Sequence, residues 1–217
     1  MDLEICHIKK SYGKKVILND VSMEAFKGEC IGILGGNGSG KTTLLSILAG
    51  MLTPDAGEIL WEGKKPDGKT FGYVPQGIPL FEELSAMDNL RLWYSRKEIK
   101  QELEEGVLKL LGIQEFLSVP VKKMSGGMKK RLSIGCAVAH KPPLLLLDEP
   151  TAALDLLGKQ KIWEYLSEYL RCGGTILLVT HDVWEIEKCT RCYIAKDGSF
   201  MDYTYDGDMD GLVGQLI

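Results

Sequence analysis

No run of about 18 apolar residues occurs anywhere in the 217-residue chain, and a helix needs roughly 20 to cross a bilayer. No spanning helix is therefore expected. The N-terminus, Met1 to Ile5, lacks a basic region followed by an apolar stretch, so no signal peptide is expected either. Positive charge is not in surplus. With 26 Lys and Arg against 30 Asp and Glu the net charge is −4, which speaks against nucleic acid as the main partner. There is no internal repeat and no low-complexity tract. Six cysteines are scattered through apolar segments, a pattern of reduced core thiols in a cytosolic protein. Cys189 and Cys192 have C-x-x-C spacing, but a zinc site needs a second pair. They are expected as half-buried thiols between a helix and a strand.

What remains is an ordinary globular composition, 45% apolar and 26% charged. It suits one domain over residues 1–217, or a domain with an embedded subdomain. One stretch organises it. Gly35-Gly36-Asn37-Gly38-Ser39-Gly40-Lys41-Thr42 fits G-x-x-x-x-G-K-[ST] at each required position. A short apolar strand, Cys30 to Leu34, precedes it. An apolar helix follows from Thr43 to Ala49, with Gly50 as its cap. Glycines let the backbone wrap a phosphate and aim N–H groups at it, and the helix presents its positive end there. Lys41 is placed to reach the β- and γ-phosphates and the Thr42 hydroxyl to ligate Mg²⁺.

Upstream, Leu3–Lys9 and Val16–Phe26 read as antiparallel-looking strands, with a turn at Ser11–Lys15 and a break at Asn19-Asp20. Tyr12, on that turn, can stack on adenine or pack on a sheet edge. Downstream, Glu58–Glu62 and Thr70–Val74 are short strands, and Gln76 follows the second. From about residue 78 to 140 the pattern turns helical, an inserted helical subdomain. Ile99, Leu103, Val107, Leu110 and Leu111 share one face of a helix there, and Ser95 is its N-cap. Ser125-Gly126-Gly127 opens a later helix, a second potential anion site beside basic residues.

Leu144 to Leu147 is a fully buried strand of the parallel-sheet kind. Asp148 and Glu149 emerge at its C-terminal end, where open α/β sheets bind ligands. Asp148 can hold Mg²⁺; Glu149 points elsewhere and can deprotonate a water. A long helix over Leu156–Arg171 and a buried strand over Thr175–Val179 follow, and His181 comes to the same sheet edge. At the end, Asp206 to Gly211 resembles the start of a calcium loop, but its twelfth position is Ile217 rather than glutamate. It is expected as a solvated acidic tail.

Taken in order, Tyr12, the glycine loop, Gln76, Ser125-Gly126-Gly127, Leu147-Asp148-Glu149-Pro150, Leu154-Asp155 and His181 resemble the nucleotide-binding domain of ATP-binding cassette (ABC) proteins over nearly the whole chain. The resemblance implies an α/β P-loop core with a mostly parallel sheet, an N-terminal antiparallel β subdomain and the inserted helical subdomain. It implies a Mg²⁺-dependent ATP hydrolase. Tyr12 and Val16, with Gly36 to Thr43, would contact ATP; Gln76 would join Thr42 and Asp148 at Mg²⁺ and face a membrane partner. Glu149 would be the base and His181 the γ-phosphate contact. Two chains, identical or different, would pair head to tail, so that Ser125-Gly126-Gly127 caps the ATP of the other and Leu154-Asp155 links the two sites. Met124, Met128 and Ala152 replace the family's usual leucine, glutamine and serine. The implied role is the ATPase subunit of a transporter, on the cytoplasmic face of the cell membrane beside a separate permease. Phe81 to Leu90 leans toward the exporter branches. The alternative is a soluble ABC ATPase acting on nucleic acid, the ribosome or an assembly pathway. Because the chain ends soon after the His181 region, no added regulatory domain is expected.

Overall fold

The computed structural model describes residues 2–152 and 154–216. Ala153, in the loop after Asp148-Glu149, and Ile217, the twelfth position of the calcium-like stretch, lie outside the described residues. The strands are β1 (Leu3–Tyr12), β2 (Lys15–Ala25), β3 (Cys30–Leu34), β4 (Ala56–Trp61), β5 (Phe71–Val74), β6 (Leu144–Asp148), β7 (Thr175–Val179), β8 (Arg191–Lys196) and β9 (Ser199–Tyr203). The α-helices are α1 (Lys41–Leu48), α2 (Ala86–Leu90), α3 (Arg96–Glu104), α4 (Val107–Leu110), α5 (Gly126–Ala137), α6 (Leu156–Arg171), α7 (Val183–Ile186) and α8 (Met209–Leu216).

Two sheets form. One is antiparallel, in the order β2-β1-β4; the other has the order β5-β6-β7-β3-β8-β9 and is parallel except for β9. Strand alternation divides the core. Ile31, Ile33, Leu144, Leu146, Leu177 and Val179 face α1 and the antiparallel sheet. Cys30, Leu145, Leu147, Ile176 and Leu178 face the opposite way, toward the helices that include α5 and α6. Both faces are covered, which is why these strands read as unbroken apolar runs. Each fully buried leucine contributes about 1.5–3 kcal/mol.

The hairpin is tighter than its sequence suggests. Ser11 and Tyr12 continue β1, and only Gly13 and Lys14 turn. Asn19 and Asp20 do not break β2. Asp20 sits at φ 65°, and the β1–β2 register shifts between Ile8 and Ser11; the extra backbone is absorbed as a bulge, and the Asn19 N–H bonds the Gly198 carbonyl instead.

Between β5 and β6 all regular structure is helical. The expected single helix from Ile99 to Leu111 is two. Gly106 ends α3, and the Glu102 carboxylate folds back to accept from the Val107 N–H, so α4 starts afresh. Ile99 and Leu111 are buried, but Leu110 is exposed. Ser95 does cap α3, with Glu98 completing a reciprocal capping box. At the C-terminus the acidic stretch is exposed, as expected, but it is ordered and leads into a helix. Asp206 and Asp208 accept backbone hydrogen bonds from Asp208 and Asp210, α8 follows, and Leu212 is buried with Leu34, Ile186, Cys192 and Ile194. Among the described residues no helix is long and apolar enough to cross a membrane.

Candidate functional site

The parallel strands bring three loops to one edge. β3 leads into the glycine loop, β6 into Asp148 and Glu149, and β7 into Thr180 and His181. Register fixes their depth, since Ile33 and Asp148 both pair with Val179. The loops meet at a cleft of about 300 Å³ lined by Lys15, Ile17, Asn37, Gly38, Gly40, Lys41, Thr42, Thr43, Gln76, Asp148 and Glu149.

Two glycines are needed for steric reasons. Gly35 has φ 153°, and a Cβ there would lie 2.3 Å from the Ala195 carbonyl oxygen. Gly40 has φ 102°, and its Cβ would lie 2.7 Å from Leu18 Cδ2. The Lys41 ammonium is buried and donates to the carbonyls of Gly35 at 2.6 Å and Gly36 at 2.9 Å. Burial pushes its pKa down, while Asp148 and Glu149 pull the other way. The Thr42 hydroxyl donates to Asp148 Oδ2 at 2.8 Å. Burial raises the Asp148 pKa, opposed by that hydrogen bond. Glu149 sits at φ 49°, in the left-handed region. Its Oε2 accepts from Gln76 Nε2 at 3.1 Å, and its Oε1 lies 3.6 Å from His181 Nε2.

Two features fit a bound phosphate and its cation. Ser39 Oγ is buried with no hydrogen-bond partner among the described residues, an orphan of the kind a ligand oxygen satisfies. Asp148 is buried to 1% of its surface beside a hydroxyl, the oxygen-donor pair that suits a hard divalent ion.

Some expected residues stand apart. Tyr12 and Val16 are exposed on the hairpin and do not line the cleft; Lys15 and Ile17 do. Lys10 Nζ lies 5.9 Å from the centre of the Tyr12 ring. Ser125, Gly126 and Gly127 also lie outside the cleft. Ser125 accepts from the Met128 N–H as the cap of α5, and Leu154 is the nearest neighbour of Gly126. Two residues carry no sequence signal of their own. Lys130, one turn into α5, is buried and donates to the carbonyls of Pro75 at 3.0 Å and Gln76 at 3.3 Å; burial lowers its pKa, and Asp148 and Glu149 oppose this. Glu185 is buried behind the site. The thiols of Cys30 and Cys189 are 3.9 Å apart, and among the described residues no group of three or more His, Cys, Asp or Glu side chains is placed to hold a metal ion.

The profile of the ABC transporter family matches residues 18–152, more than half of the chain. The chain belongs to the ABC transporter family. It is 38% identical over 207 residues to the Nod factor export ATP-binding protein I of Sinorhizobium fredii, covering 90% of this chain but only 60% of that one. It is 34% identical over 208 residues to the lantibiotic transport ATP-binding protein SrtF of Streptococcus pyogenes, covering 94% and 87%. The fold superposes with a TM-score of 0.82 on a dimeric ATP-binding cassette in a post-hydrolysis state with ADP and Pi, at 28% identity over 95% of this chain and all of that one. The chain thus spans under two thirds of the first relative's length and most of the second's.

Proposed function

We propose that the chain is the ATP-binding and ATP-hydrolysing subunit of an ABC transporter of the exporter type, driving a separate permease from the cytoplasmic face of the membrane. The observation that carries this is the convergence of Lys41, Thr42, Asp148, Gln76, Glu149 and His181 on one sheet edge, with the Glu149 carboxylate bracketed by an amide and an imidazole. The Sinorhizobium fredii relative, named for export, supports the direction, and the Streptococcus pyogenes relative, named for lantibiotic transport, supports the transport role. The strip that follows Gln76 exposes Ile78, Phe81 and Leu84 around the charged Glu82 and Glu83, and Trp93 is 62% exposed; exposed apolar side chains of this kind suit a membrane-protein partner.

In this reading the backbone N–H groups of Gly38 to Thr43 and the Lys41 ammonium hold the β- and γ-phosphates. Thr42 and Asp148, with Gln76, would hold Mg²⁺, which neutralises phosphate charge when bound. Glu149 orients a water for in-line attack and takes its proton; Gln76 and His181 hold that carboxylate from either side. His181 then offsets charge on the γ-phosphate. Ser125 to Gly127 lie away from their own cleft, as they would if they served the cleft of a second chain.

Glu149→Gln tests the assignment. It keeps the side chain's size and an acceptor and removes the base. Steady-state phosphate release should fall at least about 100-fold, while ATP affinity by calorimetry stays within a few-fold. Turnover near the wild-type rate removes Glu149 as the base.

A further inference from the structure

Glu185 is 1% exposed, yet none of its hydrogen-bond partners among the described residues carries a charge. The Thr151 hydroxyl donates to Oε1 at 2.8 Å and the Trp163 indole N–H donates to the same oxygen at 3.2 Å. The Thr180 hydroxyl donates to Oε2. A buried carboxylate without a cation is expensive to place and is tolerated where its donors are in position. Here each donor comes from a different element. Thr151 lies in the turn two residues after Glu149, Thr180 immediately precedes His181, and Trp163 is on α6; Glu185 itself is on α7.

We propose that Glu185 is a positioning residue for hydrolysis, its carboxylate tying the turn after Glu149 to the strand end before His181 and both to α6. The inference rests on the roles given above to Glu149 and His181. Glu149 needs such support, because its left-handed backbone persists only where the surroundings over-determine it. Its N–H is held by the Val179 carbonyl at 2.9 Å, and the turn beyond it is held by Thr151 on Glu185. His181 is fixed on both sides as well. Thr180 is bound to Glu185, and Asp182 is paired with Lys159 of α6. The Asp182 N–H also reaches the Thr180 hydroxyl at 3.0 Å. α6 begins at Asp155, its N-cap, so the same carboxylate joins the reacting edge to the element expected at the subunit boundary.

The test compares Glu185→Ala, Glu185→Gln, Thr151→Val and Thr180→Val in the purified chain, with kcat, KM and ATP affinity measured for each. A displaced base and histidine lower kcat and leave the phosphate loop untouched. Glu185→Ala should therefore reduce kcat by roughly tenfold or more with KM and affinity within about threefold. Glu185→Gln should recover kcat to within about threefold, because its amide oxygen still accepts from Thr151 and Trp163 and the Thr180 hydroxyl can turn to accept. The two valine variants should each lower kcat alone and add little to Glu185→Ala. A folded Glu185→Ala with wild-type kcat, or a loss carried equally by KM and affinity, overturns the proposal. Should Glu185→Ala not fold, the valine variants decide, and wild-type kcat in both overturns it. Glu149→Gln, assayed alongside, separates the failures. If it is inactive while Glu185→Ala is fully active, positioning alone is overturned; if Glu149→Gln is active, the base assignment falls and this inference with it.

Discussion

At the scale of single residues, backbone conformation and burial decide more than side-chain identity. Gly40 is the clearest case. Its φ of 102° lies where a Cβ is strained by about 1–3 kcal/mol, and the nearest atoms belong to Leu18 and Ile17 of the neighbouring strand. Gly40→Ala must move the loop or the strand. Calorimetry should show ATP affinity reduced more than about tenfold, with the circular dichroism spectrum retained. A second residue-scale consequence concerns Glu185, whose pKa burial holds above the ordinary carboxylate value despite three hydrogen bonds and with Asp182 adding to the rise. A raised folded-state pKa means that the folded protein binds the proton more tightly than the unfolded chain. Stability from this group is then greatest below the unfolded value and falls as pH rises toward the folded one. Glu185→Gln removes that dependence. Its melting temperature relative to wild type should be higher at pH 8, and the gain should shrink toward pH 5; a pH-independent difference contradicts the burial argument.

At the scale of elements, what was legible in the sequence was local. Strand, glycine loop and helix follow one another within Cys30 to Leu48, and the buried strand Leu144 to Leu147 announces Asp148 and Glu149 by its unbroken apolar run. What was not legible depends on pairing across the chain. The lining of the cleft by Lys15 and Ile17 depends on how a bulged hairpin sits over the glycine loop. Asn19-Asp20 has the composition of a break, yet hydrogen bonding to Gly198 keeps β2 whole. Apolar spacing from Ile99 to Leu111 is helical throughout, and the interruption comes from Gly106 with Glu102 folding back over it. Lys130 is the functional example. In sequence it is one of a basic run, solvated by default. In the fold, Lys129 pairs with Glu82 and Lys122 with Glu83 at the surface, whereas Lys130 is buried on the Pro75 and Gln76 carbonyls. It thereby ties α5, the helix that Ser125 caps, to the loop that carries Gln76. Lys130→Met keeps the packing and cuts the tie. The variant should lose roughly three- to tenfold in kcat with ATP affinity unchanged, and a loss of affinity with normal kcat shows that Lys130 acts elsewhere.

At the scale of the molecule, one chain presents its cleft and its Ser125-Gly126-Gly127 segment as separate surfaces. Two chains in head-to-tail contact would make two composite sites, each with the glycine loop of one and the capped helix of the other, as a closed two-fold pair requires. Mixing two inactive variants distinguishes this from a site complete in one chain. Lys41→Ala disables the cleft and leaves α5 intact. Gly126→Asp places a carboxylate at an open position, where among the described residues a Cβ would meet Leu154 at 3.8 Å, and repels phosphate; its own cleft is intact. Each variant alone should be inactive. In an equimolar mixture about half of the dimers contain one of each, and in those the intact cleft of the Gly126→Asp chain meets the intact helix of the Lys41→Ala chain. One of two sites then works in half of the dimers, so ATPase activity should return to roughly a quarter of the wild-type rate. If sites were complete within one chain, the Gly126→Asp variant would hydrolyse ATP unmixed, and mixing would add nothing.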